Sequence, residues 1–512
     1  MNLLMDEVFR VVLANKIVRR SLPGLLQALG QDQVDALAGV QRHQADIFHI
    51  FLCYLAGSVL VESGRGDPNQ PSEFWIDGLR ALAGRNDDCA WELVVEDPTK
   101  PAFMQPPAPS KQIFETDYKP KAETPDSLDV LQSAKNHDLK ATRARKSDIE
   151  AWVLALIGHQ TASGFLGQGK FGIARMNGGF GSRVCVGWKA NSRSGMRFHR
   201  DVKVLLAHRK TLLKAPYPYV DGGLTCLWIE PWDGKTGLSL SQLDPFFIEV
   251  ARRIRLVDCG SIVALGTTSK TTRIAAQALK GNVGDPWTPI KVSSSSALTP
   301  SANGFHPGLL RNLIFQDDYE LSPVQIPTSN EGSGWFCASS LVRGQGTTDG
   351  FREASIRVPA RVQPILFGGG NARDRLAELS KIGLEMAAGV QNKCLRPALY
   401  ALMEGGPDSV NFGKREISVW VGSQSRSFLT AWQPLYFDWL WTTLDAEDDV
   451  AALRPWVQNL KGLARDVLEK AFRSCPSRNG RGYRAISLAN GIFFGGLYKN
   501  FADYMEEKND GH

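Results

Sequence analysis

The feature that most constrains this chain is a change of periodicity at Gly368-Gly-Gly370. Beyond it, Leu453, Trp456, Leu460, Leu463 and Val467 recur at steps of three and four. Ile486, Phe493, Leu497, Phe501 and Tyr504 recur at steps of seven, four, four and three. Spacing of this kind lays one apolar stripe along each helix, and the stripe must be buried against a partner. Leu376–Val390 and Phe428–Leu444 supply two further stretches of the same character. Four helices in about 140 residues predict a four-helix bundle over residues 371–512. Five of the thirteen tryptophans fall within 420–456. Helical spacing explains them as core residues without invoking a base-stacking platform.

Residues 1–366 read as a large mixed α/β domain, giving an α+β chain overall. A short strand is expected at Val8–Leu13, a helix from Ser21-Leu-Pro-Gly, and an apolar helix over Arg42–Leu60. The most hydrophobic part, Ile47–Val61, is too short to span a bilayer and holds His49, so it reads as a buried helix. Seven prolines within 98–125 predict an extended surface segment, because proline breaks helices and central strands. Ser147-Asp-Ile-Glu150 has the form of a capping box, followed by Ile149, Trp152, Val153, Leu156 and Ile157 at helical spacing. That helix should end near Ser163-Gly164. The eight cysteines are never closer than 33 residues in sequence. This excludes zinc knuckles and a compact disulfide framework, and it points to a reducing, cytoplasmic setting. The acidic start, MNLLMDEVF, is no secretory leader.

Charge carries more information in its placement than in its total. Of a formal +6, the segment 170–214 contributes +10, with eleven basic residues against Asp201 alone, and leaves −4 for the remainder. Phosphate neutralisation is the commonest use of such density. Arg175, Arg183, Lys189, Arg193 and Arg197 are therefore phosphate-contact candidates. A second basic cluster, Lys140, Arg143, Arg145 and Lys146, precedes the capped helix.

Eight glycines lie between 164 and 187. Gly164, Gly167, Gly169 and Lys170 nearly form a phosphate-binding GxxxxGK[ST] loop, but Phe171 replaces the metal-binding hydroxyl, and the loop follows a helix where a strand is required. Gly167-Gln-Gly169-Lys-Phe-Gly172 matches GxGxxG without a βαβ context. Two readings stay open for these glycines. One is a tight turn serving the core. The other is main chain that approaches a DNA groove where no Cβ stands in the way. His137-Asp138 lacks the second cluster that a metal-dependent site needs, so no metal or cofactor is expected.

A series of short motifs then becomes informative together. MNLLMDE at the start, PAFMQPP (101–107), SAKNHDLK (133–140), RMNGGFGSR (175–183), GDPWTP (284–289), LVRGQGTTDGF (341–351) and ALYALMEGG (398–406) follow one another in order. Together they resemble the large-subunit (CasA/Cse) family of the type I-E CRISPR surveillance complex, Cascade. The resemblance implies a non-catalytic subunit with an α/β domain and a C-terminal four-helix bundle. Its implied partners are double-stranded target DNA, the guide CRISPR RNA, other Cascade subunits and a helicase-nuclease recruited on target binding; no membrane is among them. It further implies that the 164–169 glycine loop faces the protospacer-adjacent motif (PAM) and that Lys280 enters the minor groove. Arg343–Thr348 would act as a wedge, with Thr347 and Thr348 where the family carries amides and Gln345 beside them. The loop around Asn136, His137 and Lys140 would dock on guide RNA and neighbouring subunits. Base pairing with the guide would read sequence while protein reads the short flanking motif, as in other RNA-guided systems. The alternatives are an NTP-dependent nucleic-acid enzyme using the near-match loop, and a purely structural guide RNA scaffold.

Overall fold

The computed structural model describes residues 1–84, 87–129, 131, 148–179, 181–328, 331–344, 347–406, 411–475 and 482–505. The chain forms two compact units. The first comprises Met1–Phe305 and Gln316–Ile356, and the second comprises His306–Phe315 and the chain from Arg357 onward. The division thus falls about ten residues before the 366/371 boundary read from sequence. The helix Pro307–Ile314 is counted with the second unit because Arg311 bonds to Ser380 Oγ (3.1 Å) and to the Ala377 carbonyl (3.3 Å).

The first unit is built around the helix Arg42–Glu62. Every residue from Ile47 to Leu60 is buried. A helix apolar all round can only be a core element or a membrane span, and here the first unit's own elements cover it. Around it lie small sheets. Phe9–Leu13 pairs antiparallel with Lys16–Arg20 and Val34–Leu37. Ile262–Thr267 is flanked by Lys119–Ala122 and Arg253–Asp258. Gly334–Gly344 lies between Cys185–Lys189 and Thr347–Val358. The helix Leu22–Gly30 starts as expected, with Ser21 Oγ accepting from the Gly24 amide and Pro23 in the first turn, where its missing N–H costs nothing.

One expectation is corrected in part. Within the proline-rich stretch residues 101–108 are buried, with Ala102, Phe103, Met104 and Gln105 fully so, and Lys111–Asp117 is a short helix, while most of 109–121 lies at the surface. Pro101, Pro106 and Pro107 bring no amide donors that would need partners. The Gln105 side chain satisfies its neighbours, donating to the Leu93 and Phe103 carbonyls (2.8 and 3.1 Å) and accepting from the Leu256 amide (2.6 Å). Ser147 of the expected capping box at the next helix lies outside the described residues. The helix Ile149–Thr161 is capped by Asp148, which accepts from the Glu150 amide. The buried Glu150 carboxylate turns instead to the backbone amide and guanidinium of Arg10. A buried carboxylate needs a full charge partner, and Arg10 supplies it.

The second unit contains four long helical spans: Asn371–Gly389 continuing to Met403, Arg415–Trp432, Asp449–Ser474 and Gly482–Phe501. The first span carries a π-turn at Val390–Leu395, just ahead of Pro397. Proline removes one helical hydrogen bond, and a π-turn accommodates the lost register. Trp432, Trp439, Trp441 and Trp456 fill the core, while Trp420 is only half-buried. Trp439 stacks on Trp456 with ring centroids 4.7 Å apart, and Trp432 meets Trp456 edge-on at 6.1 Å. Gly383 makes this possible, since a Cβ there would lie 2.4 Å from the Trp439 ring, and its carbonyl accepts from the Trp456 indole at 2.9 Å.

Candidate nucleic-acid interface

The helix Ile149–Thr161 delivers the chain into the glycine-rich segment. Gly164 is buried. Its amide donates to the Gly181 carbonyl (3.1 Å), and a Cβ would sit 2.1 Å from that oxygen. Its smallness therefore serves the protein's own backbone, and Gly164 is corrected from a groove-facing to a structural position. The turn that follows is closed by Leu166 N–H to Lys170 O and Lys170 N–H to Gly167 O, both 2.9 Å. Gly167 (φ 119°) has open space where a side chain would project, while Gly169 (φ 69°) rests on Thr268. Lys170 is exposed. No helix opens after it, so the phosphate-loop reading lacks both its strand and its helix.

Lys280 ends the short helical turn Gln277–Leu279 in left-handed conformation, with its side chain exposed. The adjoining Gly281 (φ 83°) packs on the Met176 backbone, where a Cβ would lie 2.6 Å from the Met176 carbonyl carbon. This contact draws Lys280 to the glycine segment. Phe165, Phe171, Asn177, Gly178, Gly179, Gln277 and Lys280 line one open groove of about 250 Å³. Gly178 and Gly179 both have positive φ and present bare backbone. The structure therefore brings Lys280 beside Gly178 and Gly179, while Gly164, Gly167 and Gly169 do not line this groove. Asn177 joins them; the signal for Asn177, Gly178 and Gly179 was the Asn-Gly-Gly inside RMNGGFGSR, which no sequence rule assigned to the site.

The basic segment is used differently from the expectation. Arg183 is buried and forks onto Asp285 (2.6 and 2.8 Å), which also accepts from the Tyr54 and Thr288 hydroxyls. Arg175 is buried over the Phe247 ring, 3.6 Å from its centroid and facing Glu249. Arg197 reaches Asp46 at 2.8 Å and Asp201 at 3.7 Å. These three are corrected from phosphate contacts to internal ion-pair partners. Lys189 pairs with Asp46 (3.4 Å), and Arg193 with Asp32 and Asp35; their side chains keep 29% and 41% exposure. Arg200 and Arg209 hold Asp201 and Glu331, and Asp221 and Asp244. Acids remote in sequence cancel most of the local +10, because a charge withdrawn from water must be paired.

These pairs set the local protonation states. Burial alone would raise the Asp46 carboxyl, but Arg197 and Lys189 outweigh it and hold it well below the usual carboxylate range. Ser339 also donates to Asp46, at 2.6 Å. Burial and the Arg197 charge push His49 down to about 4 against the pull of Asp201. Its Nε2 lies 2.8 Å from Asp201. A neutral His49 must therefore carry its proton on Nε2, since the carboxylate can only accept.

Thr347 begins the strand Thr347–Val358, and Thr348 follows in it; Arg343 and Gly344 end the strand before it. Gln345 lies outside the described residues, as do Asn136, His137 and Lys140.

No protein-family model and no curated protein matches the chain. Solved structures do match it over nearly its full length. CasA from Thermus thermophilus superposes with a TM-score of 0.65 at 14% identity, covering 98% of this chain and 99% of that one. The CRISPR-associated protein Cse1 from Acidimicrobium ferrooxidans gives 0.64 at 14% identity, with 98% of each chain covered. Thermobifida fusca Cse1 gives 0.62 at 14%, again with 98% of each. The chain has the CasA fold. Within that fold, RMNGGFGSR and GDPWTP acquire a physical meaning. Arg183 of the first motif and Asp285 of the second form the buried pair, and Trp287 is fully buried beside them.

Proposed function

We propose that this chain is the non-catalytic large subunit of a type I-E Cascade complex. It recognises the PAM in double-stranded DNA, helps open the duplex for guide RNA pairing, and recruits the helicase-nuclease in antiviral defence in the cytoplasm. The observation that carries this reading is the groove that joins Lys280 to the bare backbone of Gly178 and Gly179 under a CasA fold. A cationic side chain beside unobstructed main chain suits the narrow minor groove, whose edges present mainly acceptors. Thr347 and Thr348 remain the proposed wedge, and unstacking a base step costs a few kcal/mol that phosphate contacts must offset. Asn136, His137 and Lys140 remain the proposed guide RNA and neighbour-subunit loop.

The test is PAM-dependent duplex binding by the assembled complex. Lys280→Ala is expected to weaken binding to PAM-bearing duplex while leaving PAM-less binding nearly unchanged. Equal binding of the unaltered complex to PAM-bearing and PAM-less DNA would overturn the reading.

A further inference from the structure

Once the internal pairs are subtracted, uncompensated positive charge gathers in a place no run of sequence announces. Lys119 and Lys121 lie on the edge strand Lys119–Ala122, Lys170 closes the glycine turn, and Lys270 follows the loop on which that turn rests. Among the described residues no carboxylate pairs with any of the four. The turn and this loop are joined by the Ser269 amide donating to the Gly169 carbonyl at 2.8 Å.

Lys121 is the unusual member. It sits at a register shift between Pro120 and Ala122, and a bulge re-aims the side chain it carries. Its stem crosses Gly266, where a Cβ would stand 3.0 Å from Lys121 Cδ. Its amine then reaches His159 Nε2 at 2.8 Å. Burial pushes the amine well below its usual value, and the cationic neighbours Arg252 and Lys170 push it further the same way. Beyond this contact with His159, no carboxylate among the described residues meets the amine. A half-buried cation among cations is costly unless an anion completes it.

We propose that Lys121 and Lys170 hold a backbone phosphate of the target duplex beside the Gly167–Lys170 turn. This rests on the proposed function, with the Gly167–Lys170 turn taken as part of the PAM-facing loop that the resemblance implies. Both walls of a minor groove about 6 Å wide are phosphate strands, so main chain entering the groove brings a phosphate within reach of its flank. Gly266 and Gly169 supply the room that lets the lysine stem and the turn converge there.

The experiment compares the salt dependence of PAM-duplex binding by assembled complexes carrying Lys121→Met, Lys170→Met or Lys280→Ala. Methionine keeps the stem and removes only the charge. Each lysine-to-methionine change is expected to lower the slope of log K against log salt by up to about 0.9, with the preference for PAM over PAM-less duplex preserved within about two-fold. Lys121→Arg should restore the slope. Unchanged slopes in both methionine variants overturn the phosphate site, while a Lys280→Ala complex that still loses PAM preference leaves the broader reading standing. A parallel thermal titration of the full chain with inorganic phosphate separates the two sources of the anion. Stabilisation by millimolar phosphate that Lys121→Met abolishes, with DNA slopes unchanged, identifies a free-anion site and overturns the DNA assignment.

Discussion

The helix Ser194–Leu212 and the turn Gly167–Lys170 both draw on the basic segment, yet they use charge in opposite ways. Along the helix, Arg197, Arg200 and Arg209 point inward and are held by acids from other elements. At the turn, Lys170 stays exposed, and among the described residues no carboxylate pairs with it. Guanidinium groups, with rigid planar forks, suit the buried pairs, while lysines remain at the surface as movable point charges. Charge that holds the protein together is thus carried mostly by arginine, with Lys189 at Asp46 the exception.

The largest test of this contrast is Arg183→Met, which strands the buried Asp285. Denaturation of the full chain should show the first unit destabilised by about 3–5 kcal/mol, and adding Asp285→Leu should recover part of it. The next is a pH effect. In the unfolded chain His49 takes a proton near 6.5, whereas in the folded chain it does so only near 4. As pH falls through that window the unfolded state binds the proton first, so stability drops, by about 3 kcal/mol at most. The difference between the unaltered chain and His49→Gln between pH 6.5 and 5 measures it, above the range where carboxylates contribute. A smaller effect is expected at the turn. Gly169→Ala combines positive φ with a Cβ 2.6 Å from Thr268. It should cost more than Gly167→Ala, which meets open space and carries only backbone strain of about 1–3 kcal/mol. Smallest is Lys210→Ala at an exposed, unpaired site on the helix, with a change within about 0.5 kcal/mol in thermal denaturation.

Sequence periodicity was enough to find the elements whose partners are local. The span Ile149–Thr161, the core helix from Arg42 and the tryptophan-filled second unit all follow from apolar spacing. It could not reveal the fate of the arginines, because Arg183 meets Asp285 across 102 positions and Arg193 meets Asp32 across 161. A window of +10 looks identical whether its counter-charges lie in water or in the core. The same blindness affected Glu150, whose partner Arg10 lies 140 positions away. It also affected Lys121, which nothing in the local pattern separates from an ordinary surface lysine. The groove was half legible: Lys280 was marked by resemblance, Gly178 and Gly179 were not, and only the contact of Gly281 with Met176 shows how they meet.

Asp46 also has a mechanical role. Its two oxygens fasten the core helix to Arg197 of a second helix, Lys189 of one strand and Ser339 of the strand Gly334–Gly344. The last is a clamp partway along a beam. Five residues of extended chain, roughly 17 Å at 3.3 Å each, run from Ser339 to Gly344 beyond the fastening. Ser340, Leu341 and Val342 just beyond the fastening are themselves buried, so the strand stays anchored past the clamp, and only its last residues lie beyond that anchorage.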